Sequence, residues 1–268
     1  MLGVEWVFVP EVNGAMPKPG FKLVPDMDHW EDYVTFPDVN SWDWAGSAER
    51  NKDFIHQGLA TSFVIHNGLF ERLISIMDME DALMALIDDD QKPAVHRFFD
   101  RLCDLYEEII CNTKKWFDID IIWFHDDWGS QINSLFSLDT CREMIVPYLK
   151  RVVDCAHQNG RYVALHSCGK SENLVPAMIE AGIDAWRGQP VINDKKMLFE
   201  KYGDKIILGI EPTRLPADTG DMERLEKDCR EFTERYAASG RVYCSMFKMP
   251  PKARDLIYKM SRELLAER

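Results

Sequence analysis

Residues 138–169 read LDTCREMIVPYLKRVVDCAHQNGRYVALHSCG, and two periods meet in them. Over 138–159 the apolar residues Cys141, Ile145, Leu149, Val152 and Ala156 recur at spacings of three and four, the period of one buried helix face. Asn159-Gly160 then supplies a helix-ending signal, because glycine adopts the left-handed conformation there without steric cost. Residues 162–166 form a short continuous apolar run, the pattern of a strand covered on both faces. That strand closes on His166-Ser167-Cys168-Gly169, a polar group at its C-terminal end.

The same alternation extends in both directions. Strand-like runs fall at 62–65, 120–125, 184–187, 205–210 and 241–244. Helical stripes lie between them. Residues 93–116 place Val95, Phe98, Phe99, Leu102, Leu105, Tyr106, Ile109 and Ile110 on one face, and 221–238 do so with Met222, Leu225, Cys229, Phe232 and Tyr236. A last helix follows Pro250-Pro251 with Leu256, Ile257, Met260 and Leu264. Strands alternating with helices predict a parallel sheet covered by helices. No glycine-rich phosphate fingerprint follows the first strand, which argues against a doubly wound dinucleotide fold. Polar residues end nearly every strand: His125-Asp126-Asp127, His166-Ser167-Cys168, Gly188-Gln189, Glu211 and Cys244. Convergence of such ends is the active face of a (β/α)8 barrel.

Residues 1–50 differ, being rich in Pro, Gly, Trp and Asp without a sustained period. They predict an irregular N-terminal arm, packed through its aromatics onto a barrel domain of residues 51–268. Six strands are evident in that domain. The expected fold is therefore α/β, a TIM-type (β/α)8 barrel lacking one or two N-terminal strands. Such a barrel leaves two unpaired edges. The arm, with Trp6–Val9 near the seam, is the expected closure, and a homodimer is a second one.

Composition narrows the function classes. The 268 residues, 46% of them apolar, suit a chain with one sizeable core. Acidic residues outnumber basic ones 45 to 32, a formal net charge of −13, which argues against nucleic acid or an anionic membrane as a partner. No run approaches the roughly 18 apolar residues a membrane-spanning helix needs. No basic residue precedes Lys18, unlike a secretory signal, so a cytoplasmic protein is expected. Seven irregularly spaced cysteines do not form a disulfide framework.

The sharpest chemical feature is the pair His166 and Cys168. Positions i and i+2 of a strand point the same way, so an imidazole and a thiol face one site. These are two of the three protein ligands of a catalytic zinc. Cys244, ending the last strand, is the candidate third, with Glu211 a temporary occupant of the fourth position. The alternative is a core histidine bonded to backbone beside two buried thiols that act as small apolar groups. Asp126 and Asp127 are candidate catalytic carboxylates for acid–base work or cation binding, or else caps of loops at the barrel top. Gln189 is a candidate substrate contact.

The segments FHDDWGSQ (124–131), PYLK (147–150) and HSCG (166–169), with EAGID (180–184) and KYGDKI (201–206), resemble the uroporphyrinogen decarboxylase superfamily. They are most similar to its branch of corrinoid-dependent methyltransferases and O-demethylase components, over most of the chain. The resemblance implies a (β/α)8 barrel and a zinc held by a His-x-Cys pair and a distant Cys. His166, Cys168 and Cys244 fall on those positions, although the surroundings of Cys244 differ. It further implies that the metal activates a thiol or similar acceptor, and that the methyl group travels on a corrinoid carried by a separate protein. The implied cofactors are zinc and that corrinoid. The implied partners are the corrinoid protein and a small methyl donor or acceptor, with Asp126 or Asp127 orienting one of them. The decarboxylase proper has an N-terminal Arg-rich loop and a substrate-binding Asp on an early strand. Neither is found here, so uroporphyrinogen decarboxylation is not the expected reaction. Family members also carry chain ahead of the segment that matches Met1, including the first barrel strand. A non-catalytic or truncated paralogue that binds a corrinoid protein or small ligand is thus the second expectation.

Overall fold

Burial alternates residue by residue along 121–128 and 185–188. Ile122, Phe124, Val163, Leu165, Trp186 and Leu208 are fully buried beneath helices. Their neighbours Trp123, His125, His166 and Arg187 are only partly covered. The computed structural model describes residues 1–11, 14–55, 57–212, 221–244 and 249–266. The chain opens with β1 (Trp6–Val9), β2 (Gly14–Pro17) and α1 (Trp44–Asn51). Next come β3 (Ser62–Ile65), α2 (Leu69–Ile76), α3 (Met79–Ala85), α4 (Lys92–Trp116) and β4 (Ile121–His125). They are followed by α5 (Leu138–Met144), α6 (Val146–Gln158), β5 (Tyr162–Ser167), α7 (Val175–Glu180) and β6 (Ala185–Gly188). The last elements are α8 (Lys195–Tyr202), β7 (Ile207–Gly209), α9 (Met222–Tyr236), β8 (Val242–Tyr243) and α10 (Pro251–Ala266).

Strands β3 to β8 form one six-stranded parallel sheet in chain order. The sheet is rolled: Trp123 of β4 meets Tyr243 of β8 with ring centroids 5.8 Å apart, although β5, β6 and β7 lie between those strands. This is, among the described residues, a TIM-type barrel sheet short of its full set of strands, as expected from the alternation. Among the described residues neither β3 nor β8 has a second neighbour. The hollow inside the sheet, about 240 Å³, is walled by Ile121, Trp123, Ala164, Ile207 and Tyr243. No helix among the described residues is long and apolar enough to cross a membrane.

The arm packs against the outer helices. Trp30 sits edge-on to Phe98 of α4 at 5.3 Å, and Trp44 to Phe117 at 5.9 Å. The Trp44 indole N–H is donated to the Val39 carbonyl at 2.7 Å, so its polar atom is satisfied. Each large side chain buried in this way contributes about 1.5–3 kcal/mol. The expected placement of Trp6–Val9 at the seam is not what the structure has. That segment pairs antiparallel with Gly14–Pro17, a hairpin separate from the large sheet. Its backbone groups are met locally, so no strand of the arm reaches the β3 or β8 edge among the described residues.

The single helix expected over 138–159 is two. Pro147 lacks an N–H, and deep inside one helix its ring would strike the carbonyl four residues earlier. The helix breaks at Ile145, and Pro147 falls in the first turn of α6, where a missing N–H costs nothing. α6 ends as its sequence indicates, on Gly160 at φ +72.

Candidate active site at the strand ends

The alternation of the strands continues into the residues just past them and sorts two adjacent aspartates. Asp126 shares the side of Ile122 and Phe124 and is fully buried. Its carboxylate accepts the N–H groups of Phe70 (3.1 Å) and Glu71 (2.9 Å) at the start of α2, and the Trp128 indole N–H at 2.9 Å. Of the two expectations for Asp126, acid–base work or capping, these bonds are those of a cap: it holds the start of α2 and the loop of Trp128. Burial nonetheless raises it to about 6 against the pull of those donors.

Asp127 faces the other way, with His125 toward the barrel axis. There it meets His166 and Cys168. Ligand atoms of Asp127, His166 and Cys168 all lie within 4.8 Å of one another. His166 Nε2 is 3.3 Å from Cys168 Sγ, and the Cys168 N–H donates to Asp127 Oδ1 at 2.6 Å. An imidazole, a thiol and a carboxylate are the donor types, and three the number, that a catalytic zinc takes. Burial lowers His166, which leaves a neutral imidazole with a lone pair to give. Burial, then Asp127, pushes the Cys168 thiol up to about 12. Without a cation it therefore stays protonated. The turn beyond this cluster depends on Gly169, at φ +79 and pressed against the backbone of Gly129. Trp128 N–H donates to Ser167 Oγ at 3.0 Å, tying the β4 and β5 ends together.

A second tier of partly buried groups surrounds the cluster. His125 and His166 have ring centroids 4.7 Å apart, and His66 and His125 4.9 Å. Burial, then His166, brings His125 down to about 4. His166 Nδ1 is buried with no hydrogen-bond partner among the described residues, and the ring is packed against His125 with its Nε2 turned to Cys168. Glu71, at the start of α2, is pushed up to about 8 by burial and by Asp126 and Asp127. On the far side Gln189 Oε1 accepts the Gly169 N–H at 3.0 Å, and the Gln131 and Gln189 amides face each other.

Residues 64–252 match the family model of uroporphyrinogen decarboxylase (URO-D). The chain belongs to the uroporphyrinogen decarboxylase family. Its fold is similar to a methyltransferase from Methanosarcina mazei, with a TM-score of 0.62 and 14% identity over 98% of this chain and 76% of that one. A sugar phosphate isomerase/epimerase from Parabacteroides distasonis is more distant, with a TM-score of 0.43 and 12% identity over 88% of this chain and 82% of that one. No curated protein matches the sequence.

Within the uroporphyrinogen decarboxylase family fold, the structure gathers some of the expected site residues and separates others. His166 and Cys168 meet as expected. Cys244 does not join them: it packs with Leu225, Cys229 and Ala253 beneath α9 and α10. The reason is parity. Ile210 donates its N–H to the Tyr243 carbonyl, and Leu208 pairs with Val242 in register, so Cys244 continues the helix-facing side of β8. Asp127 is instead the third member of the cluster. Glu211 lies outside it, 3.5 Å from Arg187 Nε. His66, Glu71 and Arg187 are not among the site residues the sequence suggests, and His125 is named there only as a polar strand end. The strand period could have found His125, two residues before Asp127, and Arg187, level with His166 in register. The others stand on loops and helix starts whose approach has no local signature.

Proposed function

We propose that this chain carries out zinc-dependent methyl transfer between a corrinoid protein and a small thiol or similar acceptor. The convergence of Asp127, His166 and Cys168 on the C-terminal face of the barrel carries this reading. Family membership and the methyltransferase-like fold support it. The three side chains would hold the metal, Asp127 replacing the cysteine expected at position 244. A bound zinc supplies positive charge that strips the proton from a thiol and keeps it as a thiolate. The chain's own residues prepare the place. His166 is neutral, and Asp127 is fixed by the Cys168 backbone. Gln189 and Gln131 bound the site on the side of β6. With zinc bound, Asp127 and the Cys168 thiolate would supply two negative charges, which would offset the metal and keep an acceptor nucleophilic.

The test is methyl transfer from methylcobalamin to a thiol panel, followed by loss of the Co–C absorbance. Turnover that a chelator removes and zinc restores is expected. A second reading, binding of a corrinoid protein or small ligand without catalysis, is favoured by the β3 and β8 edges, which have no second neighbour among the described residues. It prevails if no thiol turns over while the protein retains stoichiometric zinc.

A further inference from the structure

Glu211 follows β7, and both of its carboxylate oxygens are buried with no hydrogen-bond partner among the described residues. Buried carboxylates in folded proteins are supplied with donors, whether from protein, water or ligand. Arg187 Nε lies 3.5 Å away but makes no hydrogen bond to it. The carboxylate is part of the wall of a cleft of about 650 Å³, whose described walls are Lys170 and Glu172 after β5, residues 191–196 after β6, residues 210–212 after β7, and Phe232 and Tyr236 of α9.

Lys195 lines the same cleft. It is only 8% exposed, a rare burial for lysine. Its Nζ donates to the Gly188 carbonyl at 3.2 Å and lies over the Trp186 ring at 4.6 Å. An ammonium has three N–H donors, so capacity remains for an acceptor. Burial brings it down to about 8, which leaves it mostly charged at neutral pH. The cleft therefore holds a buried carboxylate that is ion-paired with Arg187 but has no hydrogen-bond donor among the described residues, and a buried cation able to donate further. Its described walls are balanced, Lys170, Lys195 and Lys196 against Glu172, Asp194 and Glu211. A complementary ligand has both charges and no net charge.

We infer that this cleft is a binding site for a small zwitterion of the amino-acid type, with its ammonium on Glu211 and its acid group on Lys195. The cleft adjoins the metal candidates: Asn193 in its wall donates to the Gly169 carbonyl, one residue from Cys168, at 3.0 Å. The inference rests on the methyl-transfer reading only in taking the zwitterion as acceptor or methylated product. Binding itself requires no metal.

The test is calorimetric titration of the full chain at pH 7 with three thiol-free probes. These are S-methyl-L-cysteine, which is zwitterionic, its cationic ethyl ester and its anionic N-acetyl derivative. The zwitterion is expected to bind at least tenfold tighter than either blocked form, with or without chelator. Glu211→Gln should abolish the preference over the N-acetyl form, and Lys195→Met the preference over the ester. Thermal melting checks that both variants fold; if Lys195→Met does not, Lys195→Arg should keep the preference over the ester. Equal binding of all three probes, preference for a singly charged one, or no binding overturns the inference. Zwitterion selectivity without methyl transfer would refute the catalytic reading and leave this site standing.

Discussion

Asp127 accepts a hydrogen bond from the backbone N–H of Cys168 at 2.6 Å. The bond joins the residue beyond β4 to the residue beyond β5. One carboxylate oxygen is engaged there, and the Asp127 carboxylate lies with the His166 imidazole and the Cys168 thiol, their ligand atoms within 4.8 Å of one another.

Zinc affinity should follow this cluster. Asp127→Asn, His166→Ala and Cys168→Ala are each expected to weaken zinc binding at least about tenfold. Cys244→Ala should leave it unchanged. Competition against a chromophoric chelator measures both. Loss of zinc in the Cys244 variant, with none in the Asp127 variant, would return the third ligand to the cysteine.

Asp126 should matter to stability instead. Asp126→Ala strands two N–H groups at the start of α2 and the Trp128 indole. The expected cost is about 3 kcal/mol in urea unfolding, the scale of buried donors left unpaired. A neutral result would mean that water replaces the carboxylate.

Stability should also depend on pH through Glu71. Its folded value of about 8 lies above the 4.5 of the free side chain, so the folded state holds the proton more tightly. Such a group favours folding at low pH, and its contribution is lost as pH rises through about 8. Asp126, near 6, is mostly ionised above pH 6.5. His125, lowered from 6.5 to about 4, opposes the fall only until its unfolded imidazole is neutral, so it shallows the start of the window. In chelated protein the urea midpoint should fall between pH 6.5 and 8, and Glu71→Gln should flatten that fall. An identical slope in wild type and variant would remove Glu71 as its source.

Much of the fold was legible because it depends on local periods. The strand runs near 62–65, 120–125 and 162–166 and the α4 stripe follow from side-chain alternation alone. The break at Ile145 was legible too, had Pro147 been weighed against the apolar stripe. The site divides similarly. His166 and Cys168 came from the two-residue period, and the same period separates Asp126 from Asp127 and turns Cys244 away. Trp6–Val9 was misplaced because its partner, Gly14–Pro17, carries little strand signal of its own. Glu71 and Lys195 reach the site through helix starts, a long-range arrangement that no local pattern encodes.

The turn after β5 should tolerate no side chain. In Gly169→Ala the new Cβ would run into the Gly129 backbone, and the φ of +79 is unfavourable for alanine. A loss of about 3 kcal/mol is expected from the clash and the left-handed backbone together. Thermal unfolding measures it, and a variant as stable as wild type would show that the β4 and β5 loops are free to part.

The residues gathered near the strand ends come from one contiguous arc, β4 to β7, with His66 and Glu71 added from beside β3. Like a cask with missing staves, the chain keeps its fittings on the staves that remain. The β4–β5 and β5–β6 ladders that space Asp127, His166 and Cys168 do not involve the β8 edge or the far side of β3, so the spacing of these three does not depend on how the wall closes. The chemistry of the rim and the closure of the wall are thus separable properties, and a lineage could alter the second without re-aiming the first.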